Sequence, residues 1–351
     1  MSTPHTIAPR RATISDVARE AGTGKTSISR YLNGEMSVLS PELRARIEAA
    51  IERLDYQPNQ MARGLKRGRN RLIGMLVADL TNPYSVEVLQ GVEAACHALG
   101  YMPLICHAAN EVEMERRYLQ LLSTYRVEGV IVNALGVREE TLRPVGAGGI
   151  PAVLVDRTVE GLVADMVGLD NTAAAELATR HLLELGFDDI WFVVQPFEHI
   201  SSRRLREAAF RGVIGAQHRA RGRTVVLELG DAAAVERTLA ELDRAMDAAS
   251  DAAGAGPKRV ALFAANAPVA LCLARHLNTR FGARWQERVA LLSIDDPEWA
   301  ELTGVTTIRQ PTYQIGYRAV EFLHERIDGV QAAARDCLLA GELIVRASTS
   351  R

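Results

Sequence analysis

The chain has 351 residues, 48% of them hydrophobic and 24% charged, with a formal net charge of −2, which points to two or three domains with real cores. Its four cysteines (Cys96, Cys106, Cys272, Cys337) lie far apart without C-x-x-C spacing, against a disulfide framework or a zinc site and in keeping with a reducing cytoplasm. Met1 to Arg11 lacks the apolar stretch of a secretory signal, and no run approaches the roughly 18 apolar residues of a membrane span, so a soluble cytoplasmic protein is expected.

Charge is unevenly spread. Residues 1–71 hold thirteen Lys and Arg against seven Asp and Glu, a net +6 that leaves −8 for the remainder. A basic head on an acidic body is the asymmetry of a chain whose one end meets a polyanion.

The first sixty residues read as short helices with tight connections. Thr13-Ile-Ser-Asp16 has the spacing of an N-terminal cap before a helix carrying Val17, Ala18 and Ala21 on one face. Gly22-Thr-Gly24 breaks it. A second helix is predicted over Lys25–Leu32, with Ile28 and Leu32 inward, ending at Asn33-Gly34, both tolerant of left-handed backbone. Ser40-Pro-Glu42 starts a third, whose apolar face is Ile47, Ile51 and Leu54.

From Leu72 strand-length apolar runs alternate with amphipathic helical stretches. The expected strands are Leu72–Ala78, Met102–Cys106, Val127–Val132, Ala152–Val155, Ile190–Val194, Val225–Leu229, Val260–Phe263 and Val289–Ile294. Helical patterns include Val86–Leu99, Glu113–Tyr125, Ala173–Leu185 and Arg203–His218. This alternation predicts an α/β body of doubly wound parallel sheets, in two lobes because some 280 residues exceed one such sheet. Asp251–Pro257 is a surface loop without recognisable chemistry.

Two short helices across a glycine-containing turn form a helix-turn-helix, whose second helix enters the DNA major groove. Its leading residues are Lys25, Thr26 and Ser27, with Arg30 one turn on; Lys reaches guanine acceptors and Thr a base edge or thymine methyl. Thr13, Ser29 and Asn33 suit phosphate contacts, which fix register. Gly22-Thr-Gly-Lys-Thr-Ser27 mimics a phosphate-binding loop, yet Arg19 stands where G-x-x-x-x-G-K-[ST] needs glycine, and the segment follows a helix, not a strand.

Thr13-Ile-Ser-Asp-Val-Ala18, Ala21-Gly22, Ser29-Arg-Tyr-Leu-Asn33 and Tyr56-Gln-Pro-Asn59 together resemble the headpiece of the lactose/galactose repressor (LacI/GalR-type) family, and the similarity continues at matching spacing through the whole chain. The resemblance implies a helix-turn-helix head (1–58), a hinge helix and linker (59–71) and a two-lobed, periplasmic-binding-protein-like sensor (72–351), with lobes of about 72–170 with 311–338 and 171–310 with 339–351. Asn59, Ala62 and Leu65 then fall on the hinge helix that enters the minor groove, with Leu65 as the wedge between base steps. Gly64 weakens that helix in isolation by roughly 1 kcal/mol relative to alanine. Gly24 departs from the Ser or Thr that caps the second helix in many relatives, at a cost of only about a few tenths of a kcal/mol.

In such sensors the ligand sits at the carboxyl ends of the strands. Asp79, Tyr84, Asn133, Asp156, Arg157, Asn266 and Asp295 lie at those ends, and the resemblance adds Arg206, within Ser201-Ser-Arg-Arg-Leu-Arg206, and Gln310. Asp and Asn after a strand also commonly cap the next helix, and Asp296-Pro297 reads as turn chemistry. Ala267 and Ala232 replace the aspartate and the aromatic usual at those positions. The eight histidines show no metal-ligand spacing, and no metal or cofactor is expected.

Arg157 and Arg206 together suit a carboxylate. Gly22–Gly34 and Gln60–Gly68 are similar to repressors that respond to keto-sugar acids, so 2-ketogluconate is the effector the resemblance implies. The chain closes without a leucine-heptad tail, implying a homodimer on a pseudo-palindromic double-stranded operator. The competing readings are a sugar-binding protein without a DNA role, which the basic head opposes, and an α/β enzyme, for which no nucleophile–base motif or cofactor loop stands out.

Overall fold

The computed structural model describes residues 10–58, 69–133, 149–159, 163–197, 200–251 and 260–350. Of the expected hinge helix, Asn59, Ala62, Gly64 and Leu65 lie outside the described residues, as does most of the 251–257 loop. The chain divides into two compact units, Met1–Asn70 and Arg71–Arg351.

In the first unit α1 (Ile14–Glu20), α2 (Lys25–Leu32) and α3 (Pro41–Arg53) surround one small core, with a 3-10 turn at Met36–Val38. Val17, Ala18, Ala21, Ile28, Leu39, Ile47 and Ala50 are buried together. The caps follow from the sequence: Ser40 Oγ accepts from Leu43 N–H at 3.2 Å, and the Asp16 carboxylate accepts the Thr13 N–H at 2.9 Å. Gly22 and Gly34 take the positive φ that each turn needs, 62° and 76°, whereas Asn33 stays right-handed at φ −87°. Glycine alone makes the second turn, since it has no Cβ to clash there.

The second unit contains two six-stranded sheets. The first runs in the order β11-β5-β4-β3-β1-β2 and the second β12-β10-β9-β8-β6-β7. Their strands are β1 (Leu72–Val77), β2 (Met102–His107), β3 (Gly129–Asn133), β4 (Ala152–Val155), β5 (Asp165–Leu169), β6 (Asp189–Val194), β7 (Arg221–Val226), β8 (Val260–Ala264), β9 (Ala290–Ile294), β10 (Thr306–Arg309), β11 (Asp336–Leu339) and β12 (Glu342–Ile344). The lobes share one strand plan: β1 to β5 with β11 match β6 to β10 with β12. All pairings are parallel except β12 on β10, so the expected doubly wound parallel sheets carry one antiparallel edge strand, which such sheets tolerate.

Central β3, β8 and β9 are buried at every position, as a strand covered on both faces must be. Helices α4 (Pro83–Leu99) and α11 (Thr312–Ile327) cover one face of the first sheet, and α5 (Val112–Thr124) the other. Around the second sheet lie α6 (Asn171–Glu184) and α7 (Ser201–Gly215) on one face, with α8 (Ala232–Asp251) and α9 (Ala267–Phe281) on the other; α10 (Glu298–Thr303) follows β9. The chain passes between the lobes after β5, after β10 and between β11 and β12. Close helix packing needs glycine at one place: a Cβ on Gly316 would stand 2.0 Å from the Val88 carbonyl oxygen, and one on Gly91 2.0 Å from that of Tyr313. Among the described residues no helix is long and apolar enough to cross a membrane.

Strand β7 starts four residues before the expected Val225–Leu229. It is an edge strand, so its first half is polar and escapes a search for apolar runs.

Candidate functional site

On α2, Ile28 is fully buried while Lys25, Thr26 and Arg30 are exposed and Ser27, Ser29 and Asn33 half-exposed. One face is thus anchored in the head's core and the other, led by Lys25, Thr26 and Arg30, is turned outward. Gly24 at the N-cap makes no side-chain bond. Thr13 is less free than the sequence suggests: its hydroxyl donates to Asp16 Oδ2 at 2.6 Å. These Thr13 bonds draw the Asp16 carboxyl down to about 2, so a phosphate that takes the Thr13 proton must displace a carboxylate already holding it.

In the second unit the strand ends converge from both lobes. Asp156 follows β4 and Asp295 follows β9, equivalent places in the two sheets. Both take left-handed backbone, φ 71° and 79°, and each N–H bonds to the neighbouring strand, Asp156 to Val167 O at 3.1 Å and Asp295 to Ile308 O at 3.0 Å. Left-handed backbone costs a non-glycine residue about 1–3 kcal/mol, and such strain gathers at ligand sites.

Asp156 receives Arg157 at 3.1 Å and, from the other lobe, the Ser202 hydroxyl at 3.4 Å. Asp295 accepts the Ala267 N–H at 2.9 Å and Gln310 Nε2 at 2.5 Å; with alanine at 267, the contact to Asp295 is made by the backbone. Burial pushes the Asp295 carboxyl up, against the pull of Arg206. Tyr84 sits in the same field: burial, then Asp156, raises its hydroxyl well above the ordinary range. Its Oη and Gln310 Oε1 are buried without a hydrogen-bond partner among the described residues. Both residues, with Asp295, Glu87, Glu298 and Arg309, line a cavity of about 300 Å³ that adjoins the arginines of the cleft without being lined by them.

Arg206 is buried, 4% exposed. Its Nε donates to Asn171 Oδ1 at 2.7 Å and its Nη1 to Ala265 O at 2.7 Å. Three residues earlier, on the same helical face, Arg203 donates to Pro196 O and Gln195 Oε1, each at 2.8 Å. Burial and the neighbouring Arg157 and Arg206 lower Arg203 to about 10, the sign of cations crowded together.

The structure therefore brings Tyr84, Asp156, Arg157, Arg206, Asp295 and Gln310 into one cleft. Asn133 is buried beside it, its Nδ2 on Val155 O at 3.3 Å. Asn266 caps α9, accepting from Val269 N–H at 3.2 Å, while its Nδ2 donates to Gln195 at 2.8 Å. Asp79 stands apart. It accepts from the N–H and hydroxyl of Thr81 and from Asn110, a local turn that occupies its carboxylate. Asp296 corrects the sequence reading: it is no mere turn residue but holds Arg309 and Arg346, both at 2.7 Å, and so ties the C-terminal segment to β10.

Asn171, Gln195, Ser202 and Arg203 are cleft residues that the sequence reading passed over. Arg203 was visible in principle, three residues from Arg206 on one helix, and Gln195 directly follows β6. Asn171 was hidden because β5 itself escaped notice.

A helix-turn-helix head with an exposed polar recognition face, followed in sequence by a two-lobed α/β unit with a buried charged cleft, is the build of a DNA-binding transcriptional regulator governed by a small ligand. Residues 13–59 match the model of bacterial regulatory proteins of the lacI family, and residues 179–349 that of a periplasmic binding protein-like domain. The chain is 44% identical to the HTH-type transcriptional regulator PtxS of Pseudomonas aeruginosa, over 97% of this chain and 96% of that protein. It is 33% identical to the HTH-type transcriptional regulator KdgR of Bacillus subtilis, over 96% and 97%. Among solved structures, the lac repressor dimer bound to operator and the anti-inducer ONPF superposes with a TM-score of 0.81 at 24% identity, covering 97% of this chain and 99% of that one. The chain belongs to the LacI family of bacterial regulatory proteins.

Proposed function

We propose that this regulator is a cytoplasmic, dimeric repressor without catalytic activity, bound to a pseudo-palindromic operator through Lys25, Thr26, Ser27 and Arg30 and released by an anionic sugar acid, 2-ketogluconate first among the candidates. The observation that carries the choice of ligand is the charge of the cleft. Arg157, Arg203 and Arg206 gather there against two acids, Asp156, ion-paired with Arg157, and Asp295, whose carboxyl burial pushes up. The cationic surplus of three arginines over two acids favours an anion, and arginine binds carboxylates through its planar fork. Tyr84, Asn133, Asn266, Asp295 and Gln310 supply polar groups for hydroxyls. The acidic remainder of the chain keeps the body off DNA, leaving the basic head to meet phosphates.

The test is a thermal-shift series on the full-length protein with 2-ketogluconate, gluconate and neutral hexoses, followed by operator release with whichever binds. A ligand at about 100 times its Kd stabilises the folded state by about 2.7 kcal/mol. A shift with the sugar acids and release of operator are expected. A shift with neutral sugars alone would sink the anionic reading and leave the regulator standing.

A further inference from the structure

We infer that Asn171 and Gln195 set the cleft's preference for an anion by carrying Arg206 and Arg203 on neutral oxygens, so that neither guanidinium is paired with a carboxylate among the described residues. The inference rests on the anionic reading above and assigns it to particular side chains.

A guanidinium withdrawn from water is ordinarily held by a carboxylate, because an unpaired buried charge is costly. Buried Arg206 and half-buried Arg203 of α7 depart from that. Arg206 meets the Asn171 amide oxygen and the Ala265 carbonyl; Arg203 meets the Gln195 amide oxygen and the Pro196 carbonyl. All four partners are neutral, and among the described residues neither arginine has a carboxylate within ion-pair distance.

The amide orientations are fixed by second contacts. Asn171 Nδ2 donates to Leu169 O at 3.1 Å, which turns Oδ1 toward Arg206. Gln195 Oε1 receives Asn266 Nδ2 as well as Arg203, two donors that only the oxygen can accept. Of the nearby acids, Asp295 is engaged by Ala267 and Gln310 and Asp156 by Arg157 and Ser202, while Glu228 acts on Arg203 only at a distance. A carboxylate arriving at α7 thus meets two cationic donors without first breaking an ion pair. Aspartate at 171 or glutamate at 195 would be nearly isosteric and would hold the same arginine, but would neutralise it in place. Asn171 and Gln195 are therefore positioning residues whose neutrality is their contribution.

The experiment is calorimetric titration of the full-length protein with 2-ketogluconate, on wild type, Asn171→Asp, Gln195→Glu and the neutral control Asn171→Ser, with urea midpoints for each. Asn171→Asp and Gln195→Glu should raise the Kd about tenfold or more, since an opposite charge beside each arginine now competes with the ligand. Gln195→Glu should unfold no more readily than wild type, because it gains an ion pair; Asn171→Asp gains one with Arg206 but loses the Nδ2 bond to Leu169 O, so its urea midpoint should move little either way. Asn171→Ser, poorer by a hydrogen bond but uncharged, should lose clearly less affinity than Asn171→Asp. Equal losses in the serine and aspartate variants would reduce Asn171 to a packing role and overturn the inference. So would wild-type binding that persists unchanged in both carboxylate variants, and either result leaves the anionic reading intact. Wild type that binds no sugar acid at all overturns the anionic reading and this inference with it.

Discussion

Replacing Arg206 by lysine keeps the positive charge and removes the fork, which separates the two contributions the cleft draws from this residue. In the structure Nε and Nη1 are spent on Asn171 and Ala265 O, both at 2.7 Å, leaving the Nη2 edge for a ligand. A lysine ammonium is a point donor on a flexible stem. It cannot hold both acceptors in their present geometry and serve a ligand carboxylate as well. Loss of one charge-assisted bond to the ligand is worth about 1.5–3 kcal/mol, so the Kd for 2-ketogluconate should rise roughly 10- to 150-fold. If the lysine turns to the ligand instead, Asn171 Oδ1 or Ala265 O is left buried and unsatisfied, at about 1–3 kcal/mol of stability. Calorimetry with the sugar acid, beside anisotropy titration of a labelled operator, reads both effects. Ligand-free operator affinity should be unchanged, and the ligand concentration for half-release should rise by the same factor as the Kd, because coupling between sites is reciprocal. A Kd within about twofold of wild type, together with an unchanged melting temperature, would show that the fork is dispensable and refute the reasoning.

Lys25→Ala should alter the ranking of operator variants in a binding-site selection, by about 1–3 kcal/mol at one base pair; an unchanged ranking with uniformly weaker binding would make Lys25 a phosphate contact. Asp165 is fully enclosed and receives Arg326 at 2.8 Å and Arg335 at 3.0 Å; burial raises its carboxyl, but the bonds from the two arginines outweigh that and hold it well below the ordinary range. Its folded-state pKa is depressed, so its stabilisation is complete above the unfolded value near 4 and fades as pH falls below it. Asp165→Asn should therefore cost on the order of 3 kcal/mol at pH 7, with the gap between the two urea midpoints narrowing below about pH 4; a gap that stays constant with pH would deny the ion pairs their role. Gly316→Ala should lower the melting temperature by the equivalent of roughly 1–3 kcal/mol, since its Cβ would meet the Val88 carbonyl oxygen at 2.0 Å; an unshifted melting curve would mean that α4 and α11 separate freely.

The elements most legible in the sequence were those whose burial is shared by neighbours in the chain. Val260 to Phe263 and Val289 to Ile294 are apolar because central strands are covered on both faces, and the Ser40-Pro-Glu start of α3 is a local capping pattern. What escaped depended on distant partners. Strand β5 opens with Asp165, an unpromising first residue until Arg326 and Arg335, more than 160 residues on, surround it. Strands β11 and β12 are only four and three residues long and exist as edges of sheets formed elsewhere in the chain. In the cleft, the charged members Arg157, Arg206 and Asp295 were legible as residues. The neutral oxygens that hold the arginines were not, because Asn171 and Gln195 matter for where their amides face, and a sequence does not record that.

The matching strand plan of the lobes shows where their symmetry is broken and why a ligand can bias their arrangement. Each lobe ends its fourth strand in a left-handed aspartate, Asp156 or Asp295, bonded to the next strand. The helix after the first strand differs. In the second lobe α7 presents Arg203 and Arg206; its counterpart α4 begins with Pro83 and Tyr84 and presents no cation. The first lobe supplies its cation through Arg157 instead, and that arginine is tied to Asp156 at 3.1 Å. Asp156 in turn takes the Ser202 hydroxyl from the second lobe at 3.4 Å, and Thr158 N–H reaches Ser201 Oγ at 3.0 Å. An anion seated on α7 as proposed needs no ion pair broken there, but Arg157, close enough to act on Arg203, can join it only by leaving Asp156 and so competing with the contacts that join β4 to α7. A ligand shifts a conformational equilibrium only by its difference in affinity for the two states. On the proposed reading that difference is expected to reside in Arg157 and Asp156, the ion pair beside the contacts between the lobes, while Arg203 and Arg206, both on α7, should supply affinity common to the two states.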